Sequence, residues 1–227
     1  MFLPSLRKLF GVELVEVTAT EKLIAATGGG LSMLALAGIA LWALPAAGAT
    51  AIVASMAASA VLLFAVPHGP LSQPWPVIAG HVVSATIGVA CARFIPHPCV
   101  AAACAVGLAI GAMHQLKCIH PPGGATAFTA VMGGEAIRHL GFGFVLFPIL
   151  ANAVVMVLLA IAINGAFKWR RYPAVLNSSM RRTPRPDAGS PTHGEIVEAL
   201  RSLDSFVDIS EEDLLRLIDL LSRRSRR

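Results

Sequence analysis

Lys117-Cys118-Ile119-His120-Pro121-Pro122-Gly123-Gly124-Ala125-Thr126-Ala127 places a charge, an imidazole, two prolines and two glycines inside an otherwise apolar sequence. Two adjacent prolines do not fit a helix interior, because each lacks an N–H and its ring clashes with the preceding turn. They fit the first turn of a helix, where N–H groups have no intrahelical acceptor. The stretch therefore predicts a helix beginning at Pro121, with Gly123 and Gly124 leaving the backbone bare and Thr126 adding a hydroxyl. Two readings follow. One is a tight turn between helices; the other is a helix start that offers donors to an anion.

The sequence around this stretch belongs to a membrane. Of 227 residues, 56% are hydrophobic and only 14% charged, and the mean hydropathy is +0.71, which excludes an ordinary soluble domain. Apolar stretches at 24–44, 47–66, 77–95, 98–116 and 142–167 each approach the roughly 20 residues that a spanning helix needs. Pro45, the prolines from Pro67 to Pro76, and Pro96 and Pro98 separate the first four. The segment 121–137 is shorter and ends in Gly133-Gly134-Glu135; it reads as a short irregular pass that completes six, against a re-entrant half-helix that would leave five. The expected fold is all-α, a polytopic helical bundle of about six membrane segments with a short amphipathic helical tail.

Charge placement sets the orientation. Lys168, Arg170, Arg171, Arg181, Arg182 and Arg185 follow the last apolar stretch, and Arg7, Lys8 and Lys22 precede the first. Basic flanks prefer the cytoplasmic side, so both termini are expected there, which requires an even number of crossings. The net charge of +5 thus reads as orientation in a bilayer, and no nucleic-acid surface is expected. The chain divides into an interfacial arm (1–22), the membrane domain (23–168), a basic Pro/Ser-rich linker (169–193) and a helical tail (194–227). Leu214, Leu217, Ile218 and Leu221 form an apolar face in that tail which needs a partner. Small pairs four apart, such as Ser55/Ser59, Ser84/Gly88 and above all Gly107/Gly111, suit close helix packing in lipid, and a homo-oligomer is expected.

The chemistry is anionic in its preference. Between Glu21 and Asp187 the sequence holds one carboxylate, Glu135, beside ten Lys and Arg and six histidines. Cation and proton pathways through membranes ordinarily use carboxylates. Lys117 would attract an anion, His120 would donate to it, and Gly123, Gly124, Ala125 and Thr126 would supply further donors. His81 and His114 read as packing histidines, Asn152 and Asn164 as glue between helices, and Pro148 as a kink. Glu135 and Arg138, three apart, are expected to pair. Cys91, Cys99, Cys104 and Cys118 lack metal-ligand spacing. Without a phosphate loop, G-x-S-x-G, H-E-x-x-H or a pair of membrane carboxylates, neither an enzyme, a metal site nor a cofactor is expected.

His120-Pro121-Pro122-Gly123-Gly124-Ala125-Thr126-Ala127 resembles the signature of the HPP family of integral membrane proteins, and Pro67-His68-Gly69-Pro70-Leu71-Ser72-Gln73-Pro74 resembles that family's earlier loop. The resemblance covers roughly residues 20–168. It implies a multi-pass helical protein of a bacterial inner membrane and a small-anion substrate, nitrite first, since plant relatives are implicated in nitrite transport. Some relatives continue into paired nucleotide-sensing CBS domains; residues 194–222 resemble the connector before them. The rival expectation is a membrane-anchored signalling or scaffold protein acting through its tail.

Overall fold

The computed structural model describes residues 18–43 and 46–176, together with Leu214. The described chain is helical, and we number its α-helices α1 (Ala19–Ala43), α2 (Ala46–Ala65), α3 (Pro74–Phe94), α4 (Pro98–Gln115), α5 (Pro121–Met132), α6 (Glu135–Leu140) and α7 (Ala151–Gly165). A 3-10 turn at Pro70–Ser72 precedes α3, and a π-helical segment at Val145–Leu150 leads into α7. The expected arm before residue 18 and the tail helices, including the Leu217–Leu221 face, lie outside the described residues.

Proline sets three of the helix starts. Pro74, Pro98 and the Pro121-Pro122 pair each open a helix in its first turn, where the missing N–H costs nothing. Ala19–Leu41, Pro74–Phe94, Pro98–Gln115 and Val145–Gly165 are each long and apolar enough to cross a bilayer, and Ala54–Ala65 is a shorter apolar helix. Pro148 lies at a break in the π-helical segment, where Phe147 leaves helical backbone with φ −134° and ψ 119°. The 121–137 stretch is not one helix. α5 stops at Met132, and Gly134 turns the chain at φ 82° into the separate α6. α5 is thus 12 residues, roughly 18 Å, well short of a hydrocarbon core about 30 Å thick. Glu135 and Arg138 form no ion pair among the described residues.

α3 is the central helix, packed against α4, α5, the π-helical segment and α7, while α2 joins α1, α5 and α7. One apolar cluster around Leu36, Met56, Phe64 and Met156 unites α1, α2 and α7. A second, built from alanines of α4 with Met113, Ala127 and Val131, unites α3, α4 and α5. The closest helix approaches differ from those expected of Gly107 and Gly111, which meet nothing within 4 Å. They occur instead between α3 and α5: a Cβ on Gly88 would lie 2.6 Å from the Ala127 carbonyl oxygen, and one on Gly123 would lie 3.0 Å from that of Gly80.

The chain enters and leaves the bundle at one end. Arg170, fully buried just beyond α7, is ion-paired with Glu21 in the first turn of α1. Its guanidinium also bonds Asn164 Oδ1 at 3.0 and 3.2 Å and the Phe64 carbonyl that closes α2. Arg170, Tyr172 and Ala174, placed in the linker by their sequence, are therefore bonded into the bundle.

Candidate functional site

Where α2, α3 and α5 converge, four polar side chains meet out of reach of solvent. Ser59, His81, His120 and Thr126 are each 0% exposed. Ser59 Oγ lies 2.8 Å from His81 Nε2 and 2.9 Å from His120 Nε2. His81 Nδ1 lies 2.7 Å from Thr126 Oγ1, and His120 Nδ1 lies 2.9 Å from the Leu71 carbonyl oxygen. The two rings meet edge to face with centroids 5.0 Å apart. Glycine makes the meeting possible: a Cβ at Gly80 would sit 2.7 Å from His120 Cβ and 3.0 Å from the Cys118 carbonyl oxygen.

Donor roles follow from the partners. A carbonyl oxygen only accepts, so His120 Nδ1 carries a hydrogen toward Leu71. In the neutral ring Nε2 then accepts, and the Ser59 hydroxyl donates to it. That spends the only hydroxyl hydrogen of Ser59, so His81 Nε2–H donates to Ser59 Oγ. His81 Nδ1 is left to accept from the Thr126 hydroxyl. Every donor thus points the same way, from Thr126 to Leu71, and the side-chain polar atoms of these four residues are all satisfied.

The Pro67–Pro74 loop holds the far end of this chain. Tyr172 OH donates to the Ser72 carbonyl at 2.8 Å, and Ser72 Oγ donates to the Leu62 carbonyl at 3.1 Å. Gln73 Nε2 donates to the carbonyls of Pro67 and Gly69, and its Oε1 accepts the Ala174 amide. His68 Nε2 lies 3.2 Å from the Arg171 carbonyl oxygen. Burial pushes the Tyr172 hydroxyl well above the ordinary tyrosine range. Leu71 thus presents its carbonyl to His120 from a loop hydrogen-bonded on both sides of it.

The residues expected to bind an anion do not converge. His120, Gly123 and Thr126 turn inward, Gly124 is half-buried beside open space, and Ala125 is exposed. Lys117 is exposed and adopts φ 52°. The donor expected of Gly123 is already spent, since its amide bonds the His120 carbonyl at 2.8 Å. Pro121 and Pro122 have no N–H to offer, so the prolines that announce the helix start also remove two of its donors. Thr126 donates to His81 rather than outward. Sequence reasoning missed Ser59 and His81 as members of the site; a serine and a histidine buried in neighbouring apolar segments were the signal present.

Two recesses flank the polar core. Pro70, Leu71, Pro76, His114, Lys117 and Ile119 line one of about 260 Å³. It adjoins the core, because Leu71 and Ile119 stand next to His120 in space or sequence. Val89, Ala92, Arg93, Ala130, Ile137 and Arg138 are among the residues lining another of about 150 Å³. Pro76 and Arg93 lie near the two ends of α3, roughly 25 Å apart, so the two recesses lie at opposite ends of the bundle. The α3–α5 seam that joins them is closed at Gly88 and Ala127. Among the described residues no three His, Cys, Asp or Glu side chains gather as metal ligands.

The family described as "HPP, transmembrane region" matches residues 15–173. Two transmembrane proteins of Dictyostelium discoideum are similar, one 46% identical over 123 residues (52% of this chain and 39% of the relative) and the other 44% identical over 126 residues (54% and 44%). The chain thus spans about two fifths of the length of these curated relatives. No solved structure matches it. A proline-opened α5 packed on α3 and the matched residues, which take in helices α1 to α7, lead to one assignment: the chain is a multi-pass membrane protein that belongs to the HPP family.

Proposed function

We propose that the chain is a transporter or channel for a small monovalent anion, nitrite first, with the path running along α3 between the two recesses. The observation that carries this reading is the basic pair at each end: His114 with Lys117 in one recess, Arg93 with Arg138 in the other. Acid is scarce between them. The described residues hold two carboxylates, Glu21 and Glu135, and Glu21 is neutralised by Arg170. Basic recesses raise the local anion concentration at both mouths, and hydroxyl and imidazole donors released from one another when α3 and α5 separate replace hydration without binding too tightly to release. The closed seam at Gly88 and Ala127 makes this a shut state, which opens when α3 and α5 separate. Both ends of the chain lie on the cytoplasmic side of a plasma membrane, the side of Lys22, Lys117, Lys168 and Arg171, and the outward Gly107/Gly111 face of α4 meets a second copy.

Nitrite and sodium uptake into liposomes containing the purified chain test the proposal. Nitrite enters faster than in protein-free vesicles, sodium does not, and the pair of substitutions Lys117→Glu and Arg93→Glu lowers nitrite uptake about tenfold or more. Equal nitrite uptake with and without protein defeats it, as does uptake indifferent to both charge reversals.

A further inference from the structure

The Ser59 hydroxyl stands between two imidazole nitrogens that both lie within hydrogen-bond distance of it. The same cluster holds two acceptors in reserve. Thr126 Oγ1 is 3.4 Å from the Pro122 carbonyl, and Ser59 Oγ is 3.3 Å from that of Ser55. In the neutral state described above neither carbonyl is needed. An added proton brings the Pro122 carbonyl into use.

With a proton added at His81, both ring nitrogens of His81 donate, one to Ser59 and one to Thr126. The Thr126 hydroxyl then turns to the Pro122 carbonyl, and all partners remain matched. With the proton on His120 instead, His120 donates to Leu71 and Ser59, Ser59 donates to His81 Nε2, and His81 Nδ1–H donates to Thr126. The two arrangements place the heavy atoms identically and differ only in where hydrogens sit. Passing between them breaks the His81 Nε2–H bond as a Ser59 Oγ–H bond forms, and breaks the original Ser59 O–H bond as a His120 Nε2–H bond forms. One proton is gained by one imidazole and lost by the other; the hydroxyl ends as it began.

We infer that Ser59, His81 and His120 form a buried proton relay that couples proton movement to anion movement through the bundle. This rests on the transport reading above and supplies its energy source. Hydronium in the path opened between α3 and α5 gives its proton to His81 Nδ1, the transfer through Ser59 carries the charge to His120, and His120 Nδ1–H gives a proton back to water in the recess lined by Leu71, Ile119, His114 and Lys117. Among the described residues no carboxylate is hydrogen-bonded to either ring. α2 and α5 carry no ionisable side chain, and the other ionisable groups of α3 are Cys91 and Arg93 toward its far end. The bordering turns and α4 bring His68, Lys117, Cys118 and His114. The hydrogen bonds of the two rings run to Ser59, Thr126 and the Leu71 carbonyl. A proton and a small anion entering such a cluster together would neutralise one another, which is why an acid-poor core suits a coupled pair.

The test uses the full chain in liposomes loaded with a pH-sensitive dye, with nitrite as the probe and protein-free vesicles as the baseline. Protons and nitrite enter together in the native protein. Ser59→Ala lowers proton entry relative to nitrite by about tenfold or more, the scale of a lost proton-transfer partner, and Ser59→Thr, which keeps the hydroxyl, restores it. An unchanged proton-to-nitrite ratio in Ser59→Ala overturns the relay. A native protein that moves no nitrite defeats the transport reading, and the relay is then decided by nuclear magnetic resonance of isotope-labelled histidines in the native chain. The relay requires His81 to carry its neutral-state hydrogen on Nε2 and His120 on Nδ1, with both rings responding together to one proton. Opposite tautomers, independent titration, or no proton uptake by either ring overturns it.

Discussion

Arg170 and Glu21 stand 149 positions apart in sequence and form an ion pair in which the arginine is fully buried. The pair closes the end of the bundle where α1 begins and α2 and α7 finish. Removing one member leaves the other charge desolvated and alone. Arg170→Met or Glu21→Gln therefore lowers stability by about 3–5 kcal/mol, and the double substitution recovers part of that loss. Thermal unfolding in detergent measures all three. Equal, additive losses in the double variant would show that the two charges act independently.

Two adjacent glycines are predicted to behave oppositely. A Cβ on Gly123 would lie 2.7 Å from Ser84 Oγ, 3.0 Å from the Gly80 carbonyl oxygen and 3.2 Å from Met113 Sδ, whereas one on Gly124 meets nothing within 4 Å. Gly123→Ala thus overpacks the α3–α5 seam and costs about 1–3 kcal/mol. Gly124→Ala stays neutral or gains up to about 1 kcal/mol from helix propensity. Parallel melting curves of the two variants decide it.

Tyr172 is the only tyrosine in the chain, so its ionisation is read without interference. Burial raises its folded-state pKa above the ordinary value of about 10. The neutral hydroxyl contributes its full stability below that value, and the contribution is lost as pH rises through it, because only the unfolded chain readily ionises there. Tyrosinate absorbance should therefore appear together with unfolding in an alkaline titration, not before it. Tyr172→Phe removes the hydrogen bond to Ser72, costing about 1 kcal/mol near neutral pH, and flattens the alkaline fall in stability relative to the native chain.

Much of the bundle was legible because its signals are local. Prolines at 74, 98 and 121 mark helix starts by chemistry that acts within one turn. The lengths of the apolar stretches follow from bilayer thickness. The His120-Pro121-Pro122 stretch was recognisable as a helix start on the same ground. Its donor inventory was also legible, since proline carries no N–H, yet the expectation of free amides overlooked it. The polar core was not legible. Ser59 reads as one more small residue on α2 and His81 as a packing histidine on α3. Only the convergence of α2, α3 and α5 brings them to His120, across 61 residues in the case of Ser59. Arg170 misled for a related reason. A basic residue after a spanning helix ordinarily marks orientation, and nothing near it in sequence announces Glu21 or Asn164 as partners.

Lys117 combines two properties that a pair of substitutions separates. It is the non-glycine residue with positive φ among the described residues, at 52°, and its exposed ammonium lines the recess beside His120. Left-handed backbone strains a residue with a Cβ, and glycine adopts it freely. Lys117→Gly relieves that strain and raises stability by about 0.5–1 kcal/mol, part of the gain being offset by the greater freedom of glycine in the unfolded chain. Lys117→Gln keeps the Cβ and the strain while removing the charge, so its stability stays near native. If the charge serves to gather anions, both variants lose nitrite uptake to the same degree, by about tenfold at low salt and less as salt screens the recess. Uptake that follows stability rather than charge, falling in one variant and not the other, would assign Lys117 to the turn alone.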